Sequence, residues 1–228
     1  MFHLGLDLGQ ASDYTALCVL EQVAQGAPVP AEPVIMRTRQ LWRDGLPIAP
    51  AKPARVPAHY HVRHLQRYPL GTAYPAIVTS VAEMLARPEM RGSVLVVDAT
   101  GVGRPVLDMF TAAQLKPVAV TITGGSLPTE VKPGWFNVPK RDLVSTLQVL
   151  LQSERLKIAA ALPDAAVLTQ ELLNFRVTIS ESANDRYEGR SGSHDDLVLA
   201  VALAAWYAEG RPKKPVYAEY DAFSQITY

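Results

Sequence analysis

Apolar side chains crowd the first residues of the chain, from Phe2 to Leu8, stop at Gly9, and resume over 15 to 23 after the polar turn Gly9 to Tyr14. Two short apolar runs so close together predict a pair of strands joined by a tight connection. A third strand around 33 to 42 is expected to complete an antiparallel set. Over 44 to 58, Pro47, Pro50, Pro53 and Pro57 deny backbone donors to helix and sheet alike, which predicts a loop or an excursion over one face. From Thr72 to Leu85 the period lengthens. Ile77, Val81, Met84 and Leu85 have helical spacing, with Pro75 in the first turn, where its missing N–H costs nothing.

The run Ser93-Val94-Leu95-Val96-Val97, closing on Asp98, does not alternate. A strand that is apolar on both sides belongs in the middle of a sheet covered on both faces. Gly101 and Gly103 turn the chain after it, Pro105 opens a helix to about Leu115, and a strand at 117 to 122 completes a β-α-β unit. Residues 123 to 138 hold Gly124, Gly125, Pro128, Pro133 and Gly134, and predict a mobile loop ahead of a helix from Lys140 to about Ser153. A short helix from Pro163, a strand near 175 to 180, a polar stretch over 181 to 193 and a last strong helix from His194 to about Ala208 finish the pattern. Beyond Gly210 the chain is basic, then aromatic, with Tyr217, Tyr220, Phe223 and Tyr228 at no fixed period. We therefore expect one domain over 1 to 210 and a C-terminal extension over 211 to 228.

Composition fits this outline and narrows the function. At 228 residues and 48% hydrophobic, the chain suits a single α/β domain with one large core. Its 22 basic residues balance 22 acidic ones, so the overall field attracts neither a polyanion nor a membrane, and nucleic-acid binding would need a local patch. Cys18 is the one cysteine, which excludes an internal disulfide and leads us to expect a reducing, cytoplasmic setting. The first residues lack a basic segment followed by an apolar core, and no apolar run approaches a membrane span, so no membrane partner is expected.

The chemistry lies in acids placed where acids are expensive. Asp7 sits inside the apolar first strand, where an ionised carboxylate needs a cation or a donor. Asp98 ends the central strand. If these strands run parallel and adjacent, both carboxylates reach the edge where open α/β sheets bind ligands, outside the carboxyl ends of strands. So close a pair repels unless a divalent cation neutralises it, and oxygen ligands suit magnesium or manganese. Ser193-His194-Asp195-Asp196 opens the last helix, with the adjacent acids about 100° apart on the helical wheel, so at least one can face the sheet. Acids there also complement a helix N-terminus without any metal. Together, Asp7, Asp98, Asp195 and Asp196 could hold two metal ions for phosphodiester cleavage, with His194 orienting the water or protonating the leaving group.

The same stretches resemble the nuclease domain of phage large terminases, the DNA-packaging enzymes. They are Gly5-Leu6-Asp7-Leu8-Gly9 with Asp13-Tyr14-Thr15-Ala16 after it, Val96-Val97-Asp98-Ala99-Thr100-Gly101-Val102-Gly103, and Ser193-His194-Asp195-Asp196-Leu197-Val198 before an alanine-rich helix. Val138-Pro139-Lys140 is similar to a segment that opens a helix in those domains. The resemblance implies an RNase H-like fold, related to junction resolvases, with a mixed central sheet of three antiparallel strands followed by parallel ones, flanked by helices. It also implies a metal-dependent endonuclease acting on double-stranded DNA, with metals on Asp7, Asp98, Asp196 and Asp195. Complete terminase subunits carry an ATPase domain, yet no Gly-x-x-x-x-Gly-Lys-[Ser/Thr] loop occurs here, so translocation would need a separate ATPase domain or other packaging components.

The local basic patch is found between Arg37 and Arg67, where Arg37, Arg39, Arg43, Lys52, Arg55, Arg63 and Arg67 face one acid, Asp44. We expect Arg37, Arg39, Arg43, Arg63 and Arg67 to track phosphates, with Lys140, Arg141 and Lys132 as a second wall and Trp42 and Tyr60 as stacking surfaces. His59, His61 and His64 have some of the character of a zinc site, but lack an evident fourth ligand and are read as polar strand residues. Gly101-Val102-Gly103-Arg104 is a tight turn, since position 106 is Val and the full phosphate-binding pattern is missing. Asp13 is read as capping the turn to Thr15, with an outer place at the metal site as the alternative. Two further readings stay open: a junction resolvase with the same metal chemistry, and an actin-like ATPase or kinase, whose first phosphate hairpin Gly5 to Gly9 also resembles.

Overall fold

The computed structural model describes residues 1–9, 13–23, 42–43, 46–47, 57–101, 103–179, 185–188 and 194–210. Strands β1 (Phe2–Asp7) and β2 (Ala16–Val23) pair antiparallel, with Asp7 opposite Ala16. Strands β3 (Trp42–Arg43) and β4 (Leu46–Pro47) form a separate two-stranded ladder. The third member of the antiparallel set is β5 (His59–Arg67), which pairs with β2 through an irregularity between Val19 and Leu20. The strand expected over 33 to 42 lies, all but Trp42, outside the described residues, and the place in the antiparallel set assigned to it belongs to β5. Tyr60, Val62 and Leu65 are the buried positions of β5, but the polar His59, His61, Arg63 and His64 between them obscure its apolar signal.

Helix α1 (Tyr74–Leu85) begins with proline in its first turn, and its buried face is Ile77, Val78, Val81 and Met84. Strand β6 (Val94–Asp98) then lies parallel to β1, and α2 (Gly103–Ala112) crosses over to β7 (Val118–Thr123), parallel to β6. The supposed mobile loop over 123 to 138 contains a hairpin instead, β8 (Thr129–Lys132) and β9 (Trp135–Pro139), with Gly134 at φ 76° in its turn. Its glycines and prolines are turn punctuation between strands, and the four residues of β8 are exposed, as an edge strand permits.

Helix α3 (Lys140–Gln152) leads to β10 (Leu156–Ile158), a short strand the sequence pattern did not mark. Helix α4 (Ala165–Asn174), the ladder of β11 (Arg176–Ile179) with β12 (Asp185–Glu188), and α5 (Asp196–Glu209) follow. The main sheet has the order β10-β5-β2-β1-β6-β7-β9-β8, which puts β1 and β6 at its centre, as the apolar run in β6 demanded.

Each face of the sheet carries its own core. One packs Leu4, Leu6, Leu17, Leu95 and Val97 against α1 and α2; the other packs Val96, Val120 and Phe136 against α3, α4 and α5. From Leu197 to Tyr207 every residue of α5 is buried. A helix apolar all round must be enclosed, and this one rests on β1 and β2 with α3 and α4 beside it. Its close seat depends on Gly5, where a Cβ would overlap the Ala200 carbonyl oxygen.

Candidate metal centre

The parallel register of β1 and β6 sets Leu6 beside Val97, so Asp7 and Asp98 emerge together at the carboxyl ends of the two strands. Alternation places both on the α5 side, in line with Gly5 and Val96. Asp7 is 8% exposed and Asp98 7%, and their carboxyls are in hydrogen-bond contact. The loops behind them are pinned. Thr100 N donates to Asp98 Oδ1 at 2.7 Å while Thr100 Oγ1 accepts from Ile122 N at 2.8 Å. After β1, Gly9 N donates to Thr15 Oγ1 at 3.1 Å, and the Tyr74 hydroxyl donates to the Gly9 carbonyl at 3.0 Å.

Asp196 comes from above, as the first residue of α5, and is 6% exposed. Asp195 occupies the N-cap without making a side-chain cap. Its Oδ2 accepts instead from Lys140 Nζ at 2.8 Å, a lysine delivered by the junction of β9 and α3. Of the adjacent acids, Asp196 is the one buried toward the sheet, while Asp195 is paired with Lys140 at the rim. His194 Nδ1 lies 3.7 Å from Asp196 Oδ2, and its ring meets Tyr14 edge-on with centroids 4.9 Å apart.

Burial raises the Asp7 carboxyl well above the usual range, and the charges of Asp98, Asp196 and Asp195 raise it further against the pull of Lys140. Asp98 is also raised by burial, with the hydrogen bonds from Thr100 opposing. Asp196 is pushed up to about 6, again by burial first, while Arg67 draws it down. Among the described residues no three such side chains form a ready-made coordination cage. What converges is a buried surplus of carboxylate facing Lys140 and Arg67, and hard oxygen donors in surplus over cations suit a divalent ion.

One residue at this edge escaped the sequence reading. Glu171, 6% exposed, sends Oε2 to the backbone N–H groups of Leu197 at 3.0 Å and Val198 at 3.1 Å, and Oε1 to Arg67 Nη2. Burial lifts its carboxyl to about 7. The signal was available: Ala165, Leu168 and Glu171 are the buried positions of α4, so an acid occupies the face that helical spacing assigns to the core.

Arg67, expected in an exposed phosphate-tracking patch, is turned into the site. Its side chain is 18% exposed, with the guanidinium 4.5 Å from the Tyr14 ring centre and Nη2 3.4 Å from Asp196 Oδ2. Tyr60, expected as a stacking surface, is 1% exposed and donates its hydroxyl to Glu209 Oε1 at 2.7 Å. Arg63 is exposed and pairs with Glu21 at 2.6 Å. Arg141 donates to the Ser126 carbonyl and lies 3.8 Å from Asp142. Arg37 and Arg39 lie outside the described residues, as does the side chain of Arg43. Asp13 adds its charge to the surroundings of Asp196.

A mixed sheet with parallel central strands and acids gathered at their carboxyl ends is the architecture of an RNase H-like α/β domain. No family model matches the chain. Over 132 residues, 58% of its length, it is 28% identical to the terminase large subunits of Thermus phage G20c and Thermus virus P23-45, and that match spans 24% of those relatives. Against the crystal structure of the large terminase nuclease from thermophilic phage G20c the TM-score is 0.57 at 19% identity, covering 92% of this chain and 83% of that one. The magnesium-bound structure of the same nuclease gives 0.57 at 20% identity, with 92% and 82% covered. The Thermus phage P74-26 large terminase nuclease domain gives 0.52 at 20%, with 93% and 81% covered. The chain thus has the fold of large-terminase nuclease domains, as its motifs implied. No helix among its described residues is long and apolar enough to cross a membrane.

Proposed function

We propose that this chain is a divalent-metal-dependent endonuclease acting on double-stranded DNA, the nuclease part of a phage packaging terminase. The observation that carries the reading is the meeting of Asp7, Asp98 and Asp196 at one sheet edge, buried and short of positive charge. The likeness to terminase nucleases, one of them solved with magnesium, supports it from outside the chain. Asp7, Asp98 and Asp196 would hold the metal, with Asp195 beside them on Lys140; two magnesium or manganese ions fit the number of acids. When bound, such ions supply Lewis acidity toward phosphodiester oxygens and lower the pKa of water. His194, half exposed beside Asp196, is placed to orient the attacking water or to protonate the leaving oxygen.

An actin-like phosphate site would need a second glycine-rich hairpin after Asp98, and here β6 leads instead into the helical crossover of α2. For DNA contacts we propose Arg37, Arg39, Arg43, Arg63 and Arg141, with Lys140 at the site itself. Force for translocation would come from an ATPase domain or another packaging component. Cleavage of linear duplex, supercoiled plasmid and four-way junctions, titrated with magnesium or manganese, tests this. We expect both duplex forms to be cut and EDTA to stop the reaction. A strong junction preference would replace the packaging role with a resolvase role; no metal-dependent cutting of any substrate would remove the nuclease reading.

A further inference from the structure

We propose that Arg67 and Glu171 are a positioning pair that sets Asp196 as a metal ligand, and that neither works by touching DNA. The proposal rests on the metal-site reading above and adds two residues to it.

Helix α5 begins without the usual local cap, because the Asp195 side chain is drawn to Lys140. The first N–H groups of a helix need acceptors from elsewhere when they are buried. Glu171 supplies them across the gap from α4: Oε2 takes Leu197 N and Val198 N, the two residues directly after Asp196. Its other oxygen is occupied by Arg67. With both oxygens engaged, Glu171 is a clamp on the turn that carries Asp196.

Arg67 completes the restraint. It ends β5, and its backbone N donates to Asp164 Oδ2 at 2.9 Å, at the start of α4. Its guanidinium lies over Tyr14, so stacking limits where Nη2 can go. From there Nη2 reaches Glu171 Oε1 and Asp196 Oδ2. His194 Nδ1 faces the same Asp196 oxygen. With Arg67 Nη2 bonded to Oδ2 and the imidazole 3.7 Å from the same oxygen, Oδ1 is left as the oxygen for a metal ion. Partners that orient a ligand in this way typically contribute roughly 10–100-fold to metal affinity.

Manganese affinity, read from the electron spin resonance signal of free Mn2+, separates this from a purely structural role. It is measured on the full chain and on Glu171→Gln and Arg67→Lys, alongside duplex binding in EDTA as a function of salt. Gln at 171 keeps the size but sets an amide N–H2 against either Arg67 or the backbone donors; Lys at 67 keeps the charge and gives up the planar stack. We expect Mn2+ binding to weaken about 10-fold or more in Glu171→Gln, with a smaller loss in Arg67→Lys and an unchanged salt slope in both. Amide exchange at Leu197 and Val198 should quicken in Glu171→Gln. Unchanged Mn2+ affinity in the variants, whatever their melting temperature, overturns the proposal, and so does a flattened salt slope with intact Mn2+ binding, which would make Arg67 a phosphate contact. If Glu171→Gln does not fold, Arg67→Lys decides by the same readings. A folded parent chain that binds no Mn2+ would bring down the metal site itself, and this proposal with it.

Discussion

Helix α5 meets an ion cluster at each end, and the two clusters are built on opposite principles. At its last residue, Glu209 receives both terminal nitrogens of Arg155 and the Tyr60 hydroxyl, while Arg155 Nε donates to the Ala58 carbonyl at 2.8 Å. One acid meets one base, and each polar arm has a partner. At its first residue, Asp196 shares a buried edge with Asp7, Asp98, Asp195 and Glu171, against Arg67 and Lys140. The balanced cluster ties β5 and β10 to the helix and asks for nothing more. The unbalanced one is costly as it stands, and such a cost is understandable where a bound cation is part of the working state.

The largest effect that sharpens this contrast is at Asp7. Asp7→Asn should lower metal-dependent cleavage by more than the roughly 100-fold upper figure for orienting partners, while raising the melting temperature in EDTA, because a buried amide cannot ionise and adds nothing to the repulsion among the neighbouring acids. Cleavage retained, or a lower melting temperature, would break the comparison. Next comes the seat of the helix between the two ends. Gly5→Ala should cost roughly 1–3 kcal/mol in urea unfolding, since the new methyl meets the Ala200 carbonyl and α5 must lift.

The third prediction concerns pH. Burial holds Asp196 up at about 6 and Glu171 at about 7, above the values of about 4 that such groups have in an unfolded chain. The folded chain therefore binds these protons more tightly than the unfolded one. Their stabilising contribution is complete below about pH 4 and is lost as pH rises through about 6 to 7. Melting temperature in EDTA should fall across that window, and saturating magnesium should flatten the fall. A melting temperature in EDTA that rises over the same range would contradict the charge surplus. The smallest effect is expected at the balanced end, where Tyr60→Phe removes one hydrogen bond, costs about 1 kcal/mol and leaves cleavage as it was.

Legibility in the sequence followed the strength of local pattern. The acids were visible because each interrupts an apolar run or opens an apolar helix, and β6 could be placed at the centre of the sheet because both its sides are apolar. The β5 strand was marked only through His59, His61 and His64, and its place beside β2 was given to 33 to 42 because polar residues between Tyr60, Val62 and Leu65 mask its apolar face; β10 was hidden by its length of three residues. The β8–β9 hairpin was mistaken for a mobile loop because Gly124, Gly125, Pro128, Pro133 and Gly134 punctuate two strands of only four and five residues. Glu171 was passed over although it sits at a core-facing position of α4, since a single acid in a helix is ordinarily solvated.

By itself, the order of residues along the chain determined β1, β2, β6, α3 and α5, with Asp7 within the first strand, Asp98 closing the central one and the Asp195-Asp196 pair opening the last helix, since these follow from period and composition within a few residues. Only the tertiary structure decided that Arg67 leaves the surface and turns inward, that Glu171 clamps the turn bearing Asp196, and that Lys140 answers Asp195. These are pairings between residues 26 to 129 positions apart. No local pattern encodes them, because charges select partners by distance in space and by burial, and both exist only once the sheet and its helices have packed.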